Sequence, residues 1–410
     1  MNLARLSLAN LRANRLWAAL NLLMLALGLG TITLLLLVSH QLSERMVRDA
    51  QGIDLVVGAK GSPLQLILSA IYHVDIPTGN IPLADAERWS AHPLVRRAIP
   101  LALGDSYNDF RIVGSTHAYV ELYGGRVAAG RMWHETMEAV IGAEVARRER
   151  LRIGDRIIGA HGFVDGGLQH KDTPYTIVGI LARTGTVLDR LIVGSVESVW
   201  AIHEPAAPAP ARPPGMPDMP AHDAHLVRGE ITALLLTYAS PLAAATLPRQ
   251  INAETALQAA SPAFESARLF RLVGFGLDAM RVLAGVLVAG AALGLFVALW
   301  NAMRERRYDL AIMRTLGASR LRLLAAVLLE GVALALAGAL GGLLLGHLSA
   351  ELLGWSSETL RELGVTGRIL LAGELWIVAL ALATGALAAL LPAVLAYRLD
   401  VAEVLASGRG

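Results

Sequence analysis

The chain has 410 residues, 54% of them hydrophobic, with no cysteine and a formal charge of only +2; its mean hydropathy is +0.51. These values exclude a wholly soluble protein, and the missing thiols exclude disulfides and thiolate metal sites. Lys60 and Lys171 are the only lysines, and the Arg clusters lie beside apolar runs, so membrane topology explains them and no nucleic-acid partner is implied.

Met1 to Arg15 carries Arg5, Arg12 and Arg15 without an acid, and Leu3, Leu6 and Leu11 suggest an amphipathic helix along the inner membrane surface. Leu16 to Val38 is uncharged and long enough for a ~30 Å hydrocarbon core, and too long for the apolar part of a signal peptide. A first span at 16–38 is expected. Further apolar runs follow at 282–303, 323–350 and 375–397, each bounded by charged residues. The 304–322 segment is rich in Arg and belongs inside. The 351–374 segment carries Glu351, Glu358, Glu362 and Glu374 and belongs outside. Four spans with both termini cytoplasmic satisfy every loop.

Residues 39–281 are enough for a folded external domain. Asp54-Leu-Val-Val-Gly, Phe110 to Gly114, Tyr175 to Ile180 and Ile231 to Leu236 read as strands. Met137 to Gly159 reads as strand, helix, tight turn at Gly154-Asp155, and strand. Pro248 to Leu277 reads as a helical return to the second span. An α+β domain is expected. His203 to His225 interrupts it with a Pro- and Ala-rich insert, expected to be extended. The insert collects His203, Met216, Met219, His222, Asp223 and His225, types that bind soft or borderline divalent metals. A solvated linker is the competing reading, because a flexible loop lacks the groups that orient ligands.

The third span is rich in small residues, among them Gly331, Gly338, Gly342 and Gly346. Close helix approach and plain abundance of Gly in spans both account for this. Glu330 is a carboxylate inside a span, where an unpaired charge is costly, so a structural place at the cytoplasmic rim is expected. Arg304 to Arg320, R-E-R-R-Y-D-L-A-I-M-R-T-L-G-A-S-R, reads as a short helix stopped at Gly317. Charge and periodicity allow a topology anchor, a helix on the lipid surface, or a helix docked in a soluble partner.

E-R-R-Y-D-L-A-I-M-R-T-L-G-A-S followed by L-R-L-L-A-A-V-L-L-E-G resembles the FtsX-like and MacB-like ABC transporter permeases. Asp309 stands where Glu is more usual in that pattern. The 137–159 block and the run T-P-Y-T-I-V-G-I-L-A-R-T-G-T-V-L-D-R resemble the external domain of MacB-like permeases. The resemblance implies a non-catalytic permease subunit of the inner membrane, pairing with itself or a related permease. Glu305, Arg306, Asp309, Arg314, Leu316 and Gly317 would then dock a separate cytoplasmic ATPase that holds ATP and Mg. The closing segment Arg398 to Leu405 would lie at the same face. No G-x-x-x-x-G-K-[ST] occurs in the chain, so no nucleotide cofactor of its own is expected. FtsX-like signalling to a periplasmic enzyme and a membrane-anchored metal-binding module are the alternatives. Membrane lipid is a partner in every case.

Overall fold

The computed structural model describes residues 15–161, 172–203, 229–356, 360, 364–398, 400, 401 and 404. Residues 1–14 of the expected amphipathic N-terminus, residues 204–225 of the insert and residues 399, 402, 403 and 405 of the closing segment lie outside these residues. The chain divides into two compact units: residues 45–272, and residues 1–44 with 273–410.

Helix α1, Arg15–Asp49, opens the described chain. After it come β1 (Leu55–Ala59), α2 (Pro63–Ala70), β2 (Ile81–Pro82), α3 (Leu83–Ser90) and two paired strands, β3 (Val95–Tyr107) and β4 (Phe110–Ser115). The middle of the domain holds α4 (His117–Leu122), β5 (Val127–Gly130), β6 (Glu138–Ile141), α5 (Ala143–Glu149), β7 (Arg156–Ile157), β8 (Ala160–His161) and β9 (Tyr175–Leu181). Its last part is β10 (Ile192–Ser195), α6 (Val196–His203), β11 (Glu230–Ile231), β12 (Ala233–Tyr238), α7 (Pro241–Glu254) and β13 (Leu257–Ala260).

Eleven strands form one mixed sheet in the order β13-β1-β12-β3-β4-β10-β6-β9-β5, with β7 on β9 and β8 on β3, and β2 pairs with β11 in a separate two-stranded sheet. Two apolar cores flank it. One packs Leu55, Val57, Leu234 and Leu236 of neighbouring strands against Trp89, Leu247 and Ile251 of the helices. The other gathers Phe110, Ile112, Ile141, Ile177 and Ile192 around the enclosed Tyr175. Strand β3 is thirteen residues long and pairs with β12 and β4, so it belongs to both halves of the sheet.

Local chemistry places the turns. Gly154 has φ +92, and the Asp155 carboxylate accepts from the Arg152 amide at 2.7 Å, which closes the loop between α5 and β7. In T-G-T-V-L-D, the buried Asp189 carboxylate accepts from the amides of Thr184 (2.7 Å) and Gly185 (2.8 Å), winding the loop around itself. The expected helical return over 248–277 is interrupted. Residues 257–260 form β13, because their amides and carbonyls complete the open edge of β1. Helix formation resumes at Pro262, a residue suited to a first helical turn.

The second unit is helical. Helix α8 spans Pro262–Glu305, α9 Arg307–Thr315, α10 Arg320–Ser356 and α11 Glu374–Tyr397. Helices α1, α8, α10 and α11 are long and apolar enough to cross a membrane. Two run well beyond their apolar cores: α1 continues to Asp49, and α8 begins at Pro262.

Contact between α1 and α10 follows one periodicity. A Cβ added at Gly338 would meet the Leu25 side chain, one at Gly342 would lie 2.7 Å from Leu29 Cβ, and one at Gly346 would lie 2.5 Å from Thr33 Cβ. Both rows step by four residues, so the side chains of α1 enter the glycine notches of α10. Gly331 does the same for α11, where an added Cβ would lie 2.6 Å from Ala389 Cβ. Close approach, rather than the mere abundance of Gly in spans, accounts for these four positions.

The 364–373 connection is tied to three helices. Gln41 of α1 exchanges two hydrogen bonds with the Thr366 backbone, each 2.9 Å. Glu351 of α10 accepts from Thr366 Oγ1 (2.8 Å) and the Gly367 amide (3.0 Å). His347 Nδ1 lies 2.6 Å from Gly367 O, and its Nε2 lies 3.2 Å from Glu374 Oε2.

Replacing Gly342 by Leu forces α1 and α10 apart and is expected to cost about 1–3 kcal/mol. Thermal unfolding in detergent should show a lower midpoint for Gly342→Leu than for Gly341→Leu, whose added Cβ meets only Ala26 Cβ at 3.4 Å. Equal midpoints would refute the packing argument.

Candidate functional site

The basic segment between α8 and α10 is the first candidate. Its chemistry begins with two helix ends. At the end of α9, Gly317 has φ +95, a conformation that costs glycine little and other residues more. The Ala318 amide donates to Met313 O (3.0 Å) and the Gly317 amide to Arg314 O (3.1 Å). Together these form the paired C-terminal closure that a left-handed glycine allows. Two residues later Ser319 caps α10, its hydroxyl accepting from the Arg322 amide at 3.3 Å. L-G-A-S thus stops one helix and starts the next.

One face of α9 is fixed. Leu310 and Ala311 pack with Met303, Leu323, Val327 and Ala393 of the other three helices, and with Val401 and Val404. Other apolar side chains of the segment are open: Leu316 after α9 is 81% exposed, Leu321 of α10 68% and Ile312 of α9 36%. Arg304, Arg307 and Arg320 are also exposed, as are Glu305 and Asp309. Exposed apolar residues interspersed with charges of both signs have the composition of a protein contact rather than of a plain charged anchor.

The six residues assigned to docking are therefore not equivalent. Glu305, Asp309 and Leu316 are on the open side. Arg314 is half-buried and donates from Nη1 to Ala318 O at 3.0 Å, so it braces the turn. Gly317 builds the turn. Arg306 is half-buried at the junction between α8 and α9, and with Glu305 it lines a cavity of ≈ 210 Å³ that also contains Glu330. The same cavity is reached by Asn21 of α1, Asn301 of α8 and Thr384 of α11. Exposure of Ile312 and Leu321, and convergence of the cavity's polar groups, had no signature in the spacing.

A second set of residues lies where the stems enter the α+β unit. Tyr72 Oη is 2.8 Å from Ser266 Oγ of α8 and 3.4 Å from Met46 O of α1. Tyr123 Oη donates to Asp49 O at 3.0 Å, and Asp49 Oδ1 accepts from the Val187 amide at 2.7 Å. Burial pushes the Tyr72 and Tyr123 phenols up, so both stay protonated. His73 is enclosed beside them, with Nε2 2.8 Å from Tyr119 Oη. Burial, with Arg111 and Arg190 nearby, pulls its imidazole down to about 3.

Of the proposed metal ligands, Met216, Met219, His222, Asp223 and His225 lie outside the described residues. The backbone of His203 ends α6. Among the described residues, no group of three His, Cys, Asp or Glu side chains could hold a metal ion.

Two families match the chain. One, described as the MacB-like periplasmic core domain, matches residues 18–205. The other, described as the FtsX-like permease C-terminal region, matches residues 281–401. No curated protein matches the chain. Among solved structures, the periplasmic region of MacB from Actinobacillus actinomycetemcomitans is similar over 55% of this chain and 97% of its own, at 10% identity and a TM-score of 0.32. The extracellular domain of the noncanonic ABC-type transporter YknZ from Gram-positive bacteria is similar over 50% of this chain and 98% of its own, at 13% identity and a TM-score of 0.29.

The neutral imidazole of His73 gives the α+β unit a signed pH dependence. Its folded value lies below the unfolded one, so its contribution is complete above about pH 6.5 and falls as pH drops towards 3. Between pH 7 and 5 this residue should remove about 2 kcal/mol of stability. Denaturant unfolding of the wild type and of His73→Asn at both pH values measures it; identical pH slopes would refute it.

Proposed function

We propose a coupling function for this chain, which belongs to the FtsX/MacB-type ABC transporter permeases and unites a MacB-like periplasmic core domain with an FtsX-like permease C-terminal region. Such permeases are non-catalytic, multi-pass proteins of the inner membrane. The chain couples ATP hydrolysis in a separate ATPase subunit to movement of its α+β domain, for export, extraction or efflux. One observation carries the reading: α9 is closed at its C-terminus by the turn at Gly317, and Leu316 in that turn is 81% exposed. A water-facing leucine of that size gains nothing until a partner covers it, whereas burying it contributes about 1.5–3 kcal/mol.

In this reading Leu316, with Ile312 and Leu321, enters an apolar pocket of the ATPase, and Glu305 and Asp309 meet cations on its rim. Arg314 and Gly317 keep the turn in shape for that contact. The basic segment and both termini are cytoplasmic, as the excess of Arg favours. The α+β domain is external. Two permease copies, or this chain and a related permease, would sit above two ATPase subunits. The stems of α1 and α8 carry displacement into the domain through Tyr72, Tyr123 and Asp49, because these side chains bond both stems or anchor one to the loop at Val187.

Co-expression with an ATP-binding subunit tests the contact. Leu316→Asp should abolish co-purification, and Glu305→Lys with Asp309→Lys should weaken it by tenfold or more. Arg314→Ala should weaken it through the turn, while the detergent-solubilised permease stays folded. Undiminished co-purification of Leu316→Asp and of the double charge reversal would defeat the docking assignment. The chain has no cysteine, so a single Cys at Ser319 labelled from outside intact cells would defeat the orientation.

A further inference from the structure

The connection between α10 and α11 turns its polar groups inward and its largest side chains outward. On the inner side, buried Gln41 exchanges hydrogen bonds with the Thr366 backbone. The Gly367 amide donates to Glu351, the Arg368 amide to Thr366 Oγ1 at 3.2 Å, and the Leu371 amide to buried Glu374 at 2.8 Å. Gly367 O can only accept, so His347 Nδ1 donates to it. The only charge within 364–373 is Arg368, and it pairs with Glu351 at 2.9 Å. On the outer side Leu370 is 80% exposed, with Ile369 open next to it in the chain. Trp376, in the first turn of α11, is 79% exposed.

Two contacts on α1 set the depth of this connection. Thr366 bonds Gln41, three positions past Val38, where the first apolar run ends. Gly373 lies beside Leu36, because an added Cβ would stand 3.1 Å from the Leu36 side chain. From Leu36 to Gln41, α1 advances about 7.5 Å at helical rise. The chain between Thr366 and Gly373, which holds Ile369 and Leu370, therefore crosses the edge of the hydrocarbon layer. In open water that arrangement is unfavourable, since water would satisfy the backbone and the leucine would be better buried. At the edge of a bilayer both preferences reverse. Water is scarce there, so backbone groups need partners within the protein, and apolar side chains gain by facing acyl chains. Tryptophan at the start of a span belongs to the same layer. The exposed apolar run also continues in sequence into Leu375 of the span itself.

We propose that the 366–373 connection is a lipid-contacting wedge, seated at the head-group boundary of the leaflet opposite the Arg-rich segment, with Ile369, Leu370 and Trp376 against its acyl chains. The wedge extends the lipid-facing surface of α11 past the helix end. Gln41, His347 and Glu351 hold it from the protein side, so α1, α10 and the bilayer edge share one fixed level.

The chain has no cysteine, so single nitroxide labels on the full protein measure this depth. Leu370→Cys is labelled and reconstituted in vesicles of phosphatidylethanolamine and phosphatidylglycerol. Electron paramagnetic resonance then compares collisions with oxygen, which dissolves in lipid, and with a water-soluble nickel chelate. The label at 370 should collide severalfold more with oxygen than with nickel, as should one at Leu375→Cys in the span. A label at Ser356→Cys, on the exposed end of α10 beyond Glu351, should show the reverse. If Leu370→Cys does not fold, Ile369→Cys carries the same comparison. Nickel access at 370 equal to that at 356 would make the connection an aqueous loop. Exclusion of both reagents would make it a surface covered by protein, and either result overturns the proposal. The measurement uses no ATPase and reads depth from either side, so its outcome is independent of the coupling reading and of the orientation.

Discussion

The helical unit depends on how closely α1 and α10 approach. In lipid, burying leucine between helices gains little over leaving it in acyl chains, so association rests on van der Waals fit and interhelical hydrogen bonds. Gly338, Gly342 and Gly346 supply that fit by removing side chains opposite Leu25, Leu29 and Thr33. Thr33 returns its hydroxyl to Leu29 O at 2.9 Å, so the notch at Gly346 receives a methyl and no unsatisfied polar atom. At the far end of the same pair, Gln41 and Glu351 hold the Thr366 connection. Packing and polar contacts therefore fix the same register of α1 on α10. Gly331 extends the arrangement to α11, and the cavity beside α8 exists because these three helices are held so tightly to one another.

The turn between α9 and α10 answers a different demand. Two helix ends meet within five residues, where carbonyls of the first and amides of the second lack intrahelical partners. Gly317 and Ser319 satisfy several of them locally, and Arg314 reaches Ala318 O. Because the turn is closed by its own backbone, Leu316 is not needed for it and can face outward. Its exposure is a property of a rigid element. A contact presented in this way loses little conformational entropy when a partner covers it.

Some of this was legible in the sequence because the signals are local or additive. Span positions follow from summed transfer free energies, and the apolar runs at 282–303 and 375–397 lie within α8 and α11. L-G-A-S is a backbone instruction that needs no tertiary partner. Strand β13 was different. Leu-Gln-Ala-Ala has no strand preference of its own, and only the open edge of β1 makes it extended. Strand β3 contains Pro100, Arg96 and Arg97, which obscure alternation, yet its pairing with both β12 and β4 holds the sheet together. The docking residues were grouped by motif, and a motif does not separate Arg314, which faces the turn, from Asp309, which is exposed. The cavity takes Asn21, Arg306 and Glu330 from three separate stretches, so no window of sequence contains it.

The two stems differ in how they would carry force in the proposed mechanism. Between Thr31 and Asp49, α1 has no glycine or proline, and bending it there would break several backbone hydrogen bonds at once. Helix α8 instead carries Gly274 and Gly276, whose added Cβ atoms would meet nothing within 4 Å, just after the point where one compact unit gives way to the other. Each glycine weakens a helix by about 1 kcal/mol relative to alanine, so two in one turn make a preferred place to flex. Tyr72 nevertheless bonds both stems beyond that point, at Met46 O and Ser266 Oγ. In that proposed mechanism, a displacement along α1 would meet no glycine between Thr31 and the residues that Tyr72 bonds, whereas one along α8 would pass Gly276 and Gly274 before it met the bond at Ser266.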